Sequence, residues 1–212
     1  MVFGGFTARA VEFYAELEAD NTREFWTAHK STYESEVRDP MRELVAELEP
    51  EFGPGRVFRP QRNLRFSQDK TPYKTHQAAF VGSSLGVGYY VQLDAQGLLA
   101  GGGFRSHGAD EVERYRKAVD DEASGTEVST IVAALRIGGF EVEGDALKTR
   151  PRGYAGDHPR LDLLRCRSLM ATTSFGTPDW LATPKALDEV RAAWRAVRPL
   201  AEWSAAHVRG AD

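Results

Sequence analysis

The apolar residues of this chain recur at two spacings, in blocks: about every 3.6 residues near the start, every second residue in the middle, and about every 3.6 residues again afterwards. Ala10, Phe13, Tyr14 and Leu17 stand at i, i+3, i+4 and i+7 behind Thr7, which predicts an amphipathic helix capped by that threonine. Asn21 followed by Glu24 resembles a capping box and predicts a second helix with Phe25, Trp26 and His29 on one side. Asp39-Pro40 predicts the start of a third, because a proline at the first helical position loses no hydrogen bond, and Gly53-Pro54-Gly55 ends it. The period then changes. Strands are expected from Val57 to Phe66 and from Thr75 to Val81. Tyr89, Val91 and Leu93 alternate up to the turn Asp94-Ala95-Gln96-Gly97, and Leu98 to Phe104 returns as a hairpin. Val112, Tyr115 and Val119, then Val128, Ile131, Val132 and Leu135, predict two more helices. Short strands are expected at Phe140 to Glu143 and Ser168 to Thr173. A long helix opens at Thr183-Pro184 and is kinked or divided at Pro199. Helices, then hairpin-linked strands, then helices predict an α+β fold: an antiparallel sheet with helices packed on it, N-terminal helices and a long C-terminal helix.

A hydrophobic content of 42%, with four Trp and eleven Phe, supplies a sizeable core, and no repeat or linker divides residues 1–212, so a single domain is expected. No apolar run approaches about eighteen residues, and the segment from Met1 to Ala10 lacks a basic, then apolar, leader pattern, so neither membrane spanning nor secretion is expected. The single Cys166 excludes an intramolecular disulfide, and the cytoplasm is the expected location. No His or Cys spacing suits a metal and no glycine loop suits a dinucleotide, so no metal and no cofactor are expected.

Charge is distributed unevenly. From Glu12 to Glu51 twelve acidic residues face four basic ones, whereas from Arg56 to His76 six basic residues (Arg56, Arg59, Arg62, Arg65, Lys70, Lys74) face Asp69 alone. In an extended chain Arg59, Gln61, Asn63, Arg65 and Ser67 would share a polar face, with Phe58, Pro60, Arg62, Leu64 and Phe66 on the other. The turn from Ser67 to Lys74 would add hydroxyls and free amides suited to a phosphate or carboxylate. A second basic element, Lys148, Arg150 and Arg152 beside Tyr154 and His158, has the same chemistry, and a shared site would require the two to converge. The competing account is structural: arginines beside strands pair with surface acids, and Arg62 on an apolar face suits a buried pair with Asp69 or a helical glutamate.

Four segments carry a resemblance: Asn21-Thr22-Arg23-Glu24-Phe25-Trp26, Arg62 through Lys74, Gly101-Gly102-Gly103, and Leu147 through Tyr154. They resemble the family of conserved hypothetical proteins termed domain of unknown function 2461. The resemblance implies a fold and a place for a site, and no reaction. Two positions depart from the pattern: Asn63 stands where an aspartate is expected, and Thr22 where a second asparagine is expected.

The expected ligand set is Arg62, Arg65, Ser67, Lys70, Lys74, Arg150 and Arg152, with Asp69, Tyr73 and His76 as candidate proton-transfer groups. Gly82-Ser83-Ser84-Leu85-Gly86 matches a nucleophile-elbow pattern but lies between two strands, which favours a hairpin loop. Cys166 between Arg165 and Arg167 reads as a small core residue, and the Gly101 triplet as a close approach of another backbone. Three readings stay open: a protein, enzymatic or not, that takes an anionic small molecule; a non-catalytic adaptor; and a nucleic-acid binder, which the net charge of −4 argues against. Composition names no protein partner.

Overall fold

The computed structural model describes residues 2–63, 65, 69–84 and 86–209, and the side chains of Ser83 and Ser84 lie outside that description. Helices α1 (Ala8–Ala19), α2 (Arg23–Thr32) and α3 (Asp39–Phe52) precede strands β1 (Gly55–Val57), β2 (His76–Ser84), β3 (Val87–Asp94) and β4 (Gly97–Phe104). Then come α4 (Ala109–Asp120), α5 (Glu122–Ile137), β5 (Glu141–Glu143), α6 (Leu161–Arg165), β6 (Leu169–Gly176) and α7 (Lys185–His207). The strands form one antiparallel sheet in the order β1-β2-β3-β4-β6-β5. The α+β architecture and the long C-terminal helix are therefore as the periodicity predicts. No helix among the described residues is long and apolar enough to cross a membrane.

The chain divides into two compact units, residues 1–82, 90–100 and 174–192 in the first, and 83–89, 101–173 and 193–212 in the second. In the first unit, the buried faces of α1 and α3 (Ala10, Phe13, Leu17; Met41, Leu44, Val45, Leu48) build a core with the inward residues Ala79, Val81, Val91 and Leu93. Gln77 is buried on that inner face with its polar groups satisfied: its amide nitrogen donates to the Phe58 and Ala78 carbonyls, and its oxygen accepts from the Tyr33 hydroxyl at 2.7 Å. The second unit buries Tyr115, Val119, Val128, Trp194, Val197 and Trp203, with the Trp194 ring stacked on Tyr89 at 5.4 Å.

Three local expectations need correction. The cap of α2 is Thr22, whose hydroxyl accepts from the Phe25 amide, and not Asn21, whose side chain is used elsewhere. Asp39 does not start a separate helix. A π-helical stretch, Tyr33–Arg38, joins α2 to α3, and the Asp39 amide donates to the Glu34 carbonyl five residues back. The wider turn lets the helical path continue into Pro40, which has no N–H to give. Finally, the strand expected from Val57 to Phe66 ends at Val57. Beyond it the pairing among the described residues continues only through single amide-to-carbonyl bonds, Phe58 to Ala78, Lys74 to Pro60 and Arg62 to Pro72, and the isolated bridge of Gln61 with Tyr73. Arg59, Gln61 and Asn63 therefore do not form a regular strand face, and Ser67, the last residue of the proposed face, lies outside the described residues. The Asn63 side chain instead accepts from the Arg65 amide, a local turn that competes with extended pairing.

The glycine triplet has a steric cause. A Cβ on Gly101 would stand 2.1 Å from the Ala171 carbonyl oxygen, and one on Gly103, at φ +140°, would stand 2.2 Å from that of Leu169. Both contacts are to β6 backbone, which cannot yield as a side chain tip can.

Candidate anion-binding surface

The basic stretch of the first unit folds into two halves with opposite fates. In one, the polar groups are engaged largely by the chain itself, although the Arg62 Nε is buried without a hydrogen-bond partner among the described residues. The Arg62 guanidinium contacts the Asp69 carboxylate at 2.9 Å and the Tyr73 carbonyl at 3.3 Å. The other Asp69 oxygen accepts from the Thr71 amide and hydroxyl at 2.9 and 2.8 Å. Those two donors, with the Arg62 charge adding to them, hold the Asp69 carboxyl below its ordinary range, so it is ionised and its oxygens are occupied. Asn21 clamps the same loop from the helical side. Its amide donates to the Tyr73 carbonyl at 3.0 Å and its oxygen accepts from the Tyr73 N–H at 3.1 Å, as a strand partner would. Trp26 completes the clasp by stacking on the Tyr73 ring at 4.1 Å and 9°. Trp26 is itself buried against Phe13 and Tyr33.

The other half is cationic and unmatched. The Arg56 guanidinium lies over the Phe58 ring at 5.1 Å from its centroid, and the Lys74 ammonium lies over the same ring at 5.4 Å. Burial, and then the charges of Arg59, Arg62 and Arg56, push the Lys74 ammonium below its ordinary proton affinity. Among the described residues, Arg56, Arg59 and Lys74 take part in no salt bridge. Phe58 continues the β1 pairing, its amide donating to the Ala78 carbonyl at 2.9 Å, and Arg56 pairs with Phe80 across the ladder. The less buried sides of β2 and β3 carry His76, Phe80, Tyr90, Gln92 and Asp94. Tyr90, Gln92 and Asp94 form a hydrogen-bonded row, at 2.6 and 2.7 Å. His76 is held below the usual histidine range by burial, then by Lys74, with Asp94 pulling the other way, so it is neutral at neutral pH.

The remaining predicted residues are dispersed. Ser67 lies outside the described residues. Arg65 and Lys70 are exposed in the loop of the first unit. Arg150 and Arg152 belong to the second unit, where the Arg150 guanidinium closes its own loop on the Tyr154 carbonyl at 2.8 Å and Arg152 is exposed. His158 accepts from the Arg160 amide through Nδ1, and its Nε2 lies 3.1 Å from the Asp120 carboxylate, so the ring serves the local structure. Cys166 is buried, and that burial raises its thiol pKa, the opposite of activation. Gly82 to Ser84 are the last residues of β2 and β3 opens at Val87, which agrees with a hairpin and not with a strand-to-helix elbow; Leu85 lies outside the described residues. Among the described residues no three His, Cys, Asp or Glu side chains gather as metal ligands would.

Sequence reasoning left Arg56 and Arg59 out of the expected ligand set, although both fell inside the charge count that drew attention to the stretch. The available signal was the ring between them: an aromatic residue flanked by arginines at i−2 and i+1, with the lysine arriving from the returning strand.

No curated protein and no solved structure matches this chain. A family model described as "Conserved hypothetical protein (DUF2461)" matches residues 9–203. That span holds the Asn21-to-Trp26 segment, the loop it clasps, the glycine triplet and the Leu147-to-Tyr154 segment, and the chain belongs to the DUF2461 family.

Proposed function

We propose that the first unit binds a small anionic molecule, through a phosphate or carboxylate group, over the Phe58 ring and between Arg56, Arg59 and Lys74. One observation carries this reading: Arg56, Arg59 and Lys74 have no carboxylate partner among the described residues, and the two arginines lie close enough to depress the Lys74 ammonium. Acids are not scarce in the chain, with 31 Asp and Glu against 27 Lys and Arg. The helical section spends several of its own on Arg9 and Arg38. A surface built only for folding gains from neutralising such a cluster, whereas a ligand site gains from leaving it open. Arg62, Asp69 and Tyr73 serve the fold on this reading, and Arg65 and Lys70 stand at its edge.

The test is calorimetry and thermal shift at fixed ionic strength with inorganic phosphate, acetate and a mononucleotide. At least one anion raises the melting temperature saturably, and Arg59→Gln or Lys74→Met reduces the rise while the ligand-free protein melts as before. If no anion shifts the melting temperature, or if both variants respond like the parent, the proposal fails.

A second reading has its own observation. Phe58, Phe80 and Tyr90 are half-buried rather than core residues, and a single nucleic-acid strand stacks bases on such rings beside a basic rim. Retention of a fluorescent single-stranded oligonucleotide that falls as salt rises favours it over a small-molecule site, and no anisotropy change at low salt removes it.

A further inference from the structure

A concavity of about 670 Å3 in the second unit is independent of the surface just described. Its walls come from the chain leaving β4, from α4, and from two segments near residues 145–147 and 167–168. Three guanidinium groups line it, Arg105, Arg116 and Arg167, against one carboxylate, Asp145, with His107 and Ser168 beside them. These residues lie far apart in sequence, so no linear motif announces them.

Each wall is fixed by hydrogen bonds that leave donors over. The Arg167 amide donates to the Asp145 carbonyl at 2.9 Å and the Leu147 amide to the Arg165 carbonyl at 2.8 Å, which latches the two outer segments together. The Arg105 amide donates to the Gly86 carbonyl at 2.7 Å, and the Ser106 amide donates to the Ser168 hydroxyl at 3.3 Å. That hydroxyl keeps its own hydrogen to give. Arg116 is anchored through Nε alone, to the Leu164 carbonyl at 3.0 Å, so its terminal nitrogens have no partner among the described residues. The Arg105 side chain has none at all among them. Arg167 is the one arginine of the three with a carboxylate, Asp145, at 2.6 Å.

We propose that this concavity binds a phosphate monoester, its terminal oxygens held by Arg105, Arg116 and Arg167 with the Ser168 hydroxyl as a further donor. A guanidinium does not lose its proton, so the excess positive charge cannot be relieved by titration and is relieved by an anion. A phosphate monoester offers three terminal oxygens and close to two negative charges, which suits three forked donors and one internal carboxylate. A carboxylate ligand, with two oxygens and one charge, leaves a fork unused. The volume lies in the range of small-molecule sites and exceeds what bare phosphate needs, leaving room for the organic part of the ester.

The experiment is isothermal titration of the full chain with inorganic phosphate and with ribose 5-phosphate, chloride balancing ionic strength and ribose as the uncharged control. Saturable binding of the ester, none of ribose, and about a tenfold or greater loss of affinity in Arg105→Gln and in Arg116→Met are expected. The part of the binding that Arg105→Gln removes persists in Arg59→Gln and Lys74→Met, which separates it from the first-unit surface. Arg116→Met removes an anchor to Leu164 and could lower stability; Arg105→Gln removes a side chain without a partner, and its melting temperature checks that it folds. No saturable binding of either phosphate compound, or unchanged affinity in Arg105→Gln, overturns the proposal.

Discussion

The two halves of the first basic stretch differ in where their charges end. Arg62 meets Asp69 and the Tyr73 carbonyl, and the loop it steadies is gripped by Asn21 and Trp26. Arg56 and Lys74 lie over the Phe58 ring, Arg59 adds its charge to theirs, and none of the three has a salt bridge among the described residues. Sequence patterns alone do not separate them, since all are cations among aromatic and polar residues. What separates them is whether the rest of the chain supplies an acceptor, and that depends on contacts between α2 and a loop about fifty positions later. A basic motif is therefore no evidence for a ligand until its partners within the protein have been counted.

If the clasp is structural, breaking it is costly. Trp26→Ala removes a buried ring in contact with Phe13, Tyr33 and Tyr73, and a loss of about 3–5 kcal/mol is expected from the transfer and cavity terms together. Urea denaturation measures it. A loss near zero would show that the Tyr73 loop is not held from the helical side, and the contrast between the halves would disappear. Arg59→Gln, by contrast, changes an exposed side chain without a salt bridge and is expected to stay within about 0.5 kcal/mol of the parent.

A smaller effect sharpens the same comparison. Asn21→Ala leaves the Tyr73 N–H and carbonyl without their side-chain partner in a partly buried setting, and about 1–3 kcal/mol is expected. Asn21→Asp keeps the acceptor and loses the donor, so it should fall between the parent and the alanine variant. If Asn21→Asp matches the parent, the Tyr73 carbonyl is adequately served by Arg62 alone.

The periodicity made the architecture legible. Tyr89, Val91 and Leu93 alternate up to the turn Asp94-Ala95-Gln96-Gly97, from which Leu98 to Phe104 returns as the hairpin of β3 and β4, and the stripe Ala10, Phe13, Tyr14 and Leu17 of α1 is buried as its spacing predicts. Two boundaries were not legible for a common reason. Asn21 looks like a cap and Asp39-Pro40 like a start, because local rules assign those residues their commonest local bonds. The structure spends Asn21 on Tyr73 and absorbs Pro40 behind a π-helical stretch. Of the site, the charge excess was visible and its division was not. Arg62 was rightly suspected of an internal partner in Asp69, whereas the end of β1 at Val57, which leaves Arg59 exposed beyond the strand, was not foreseen although Pro60 stands in the run.

The subtlest way to probe the unmatched half is its pH dependence through His76. Burial and the neighbouring Lys74 lower its proton affinity in the folded chain below the ordinary value of 6.5, so below that pH the unfolded chain binds the extra proton first. Stability is therefore full above about pH 6.5 and declines as pH falls beneath it. His76→Gln, which cannot be protonated, should flatten that part of the profile while leaving the acid limb set by the carboxylates. An anion seated beside Lys74 would offset the positive charge that depresses His76 and bring its folded-state proton affinity back toward the ordinary value, so saturating phosphate should make the decline below pH 6.5 shallower in the parent and not in Lys74→Met. A profile identical in parent and His76→Gln would mean that His76 feels neither its burial nor Lys74. A decline in the parent that phosphate does not make shallower would mean that the ligand, if it binds, binds away from the Phe58 ring.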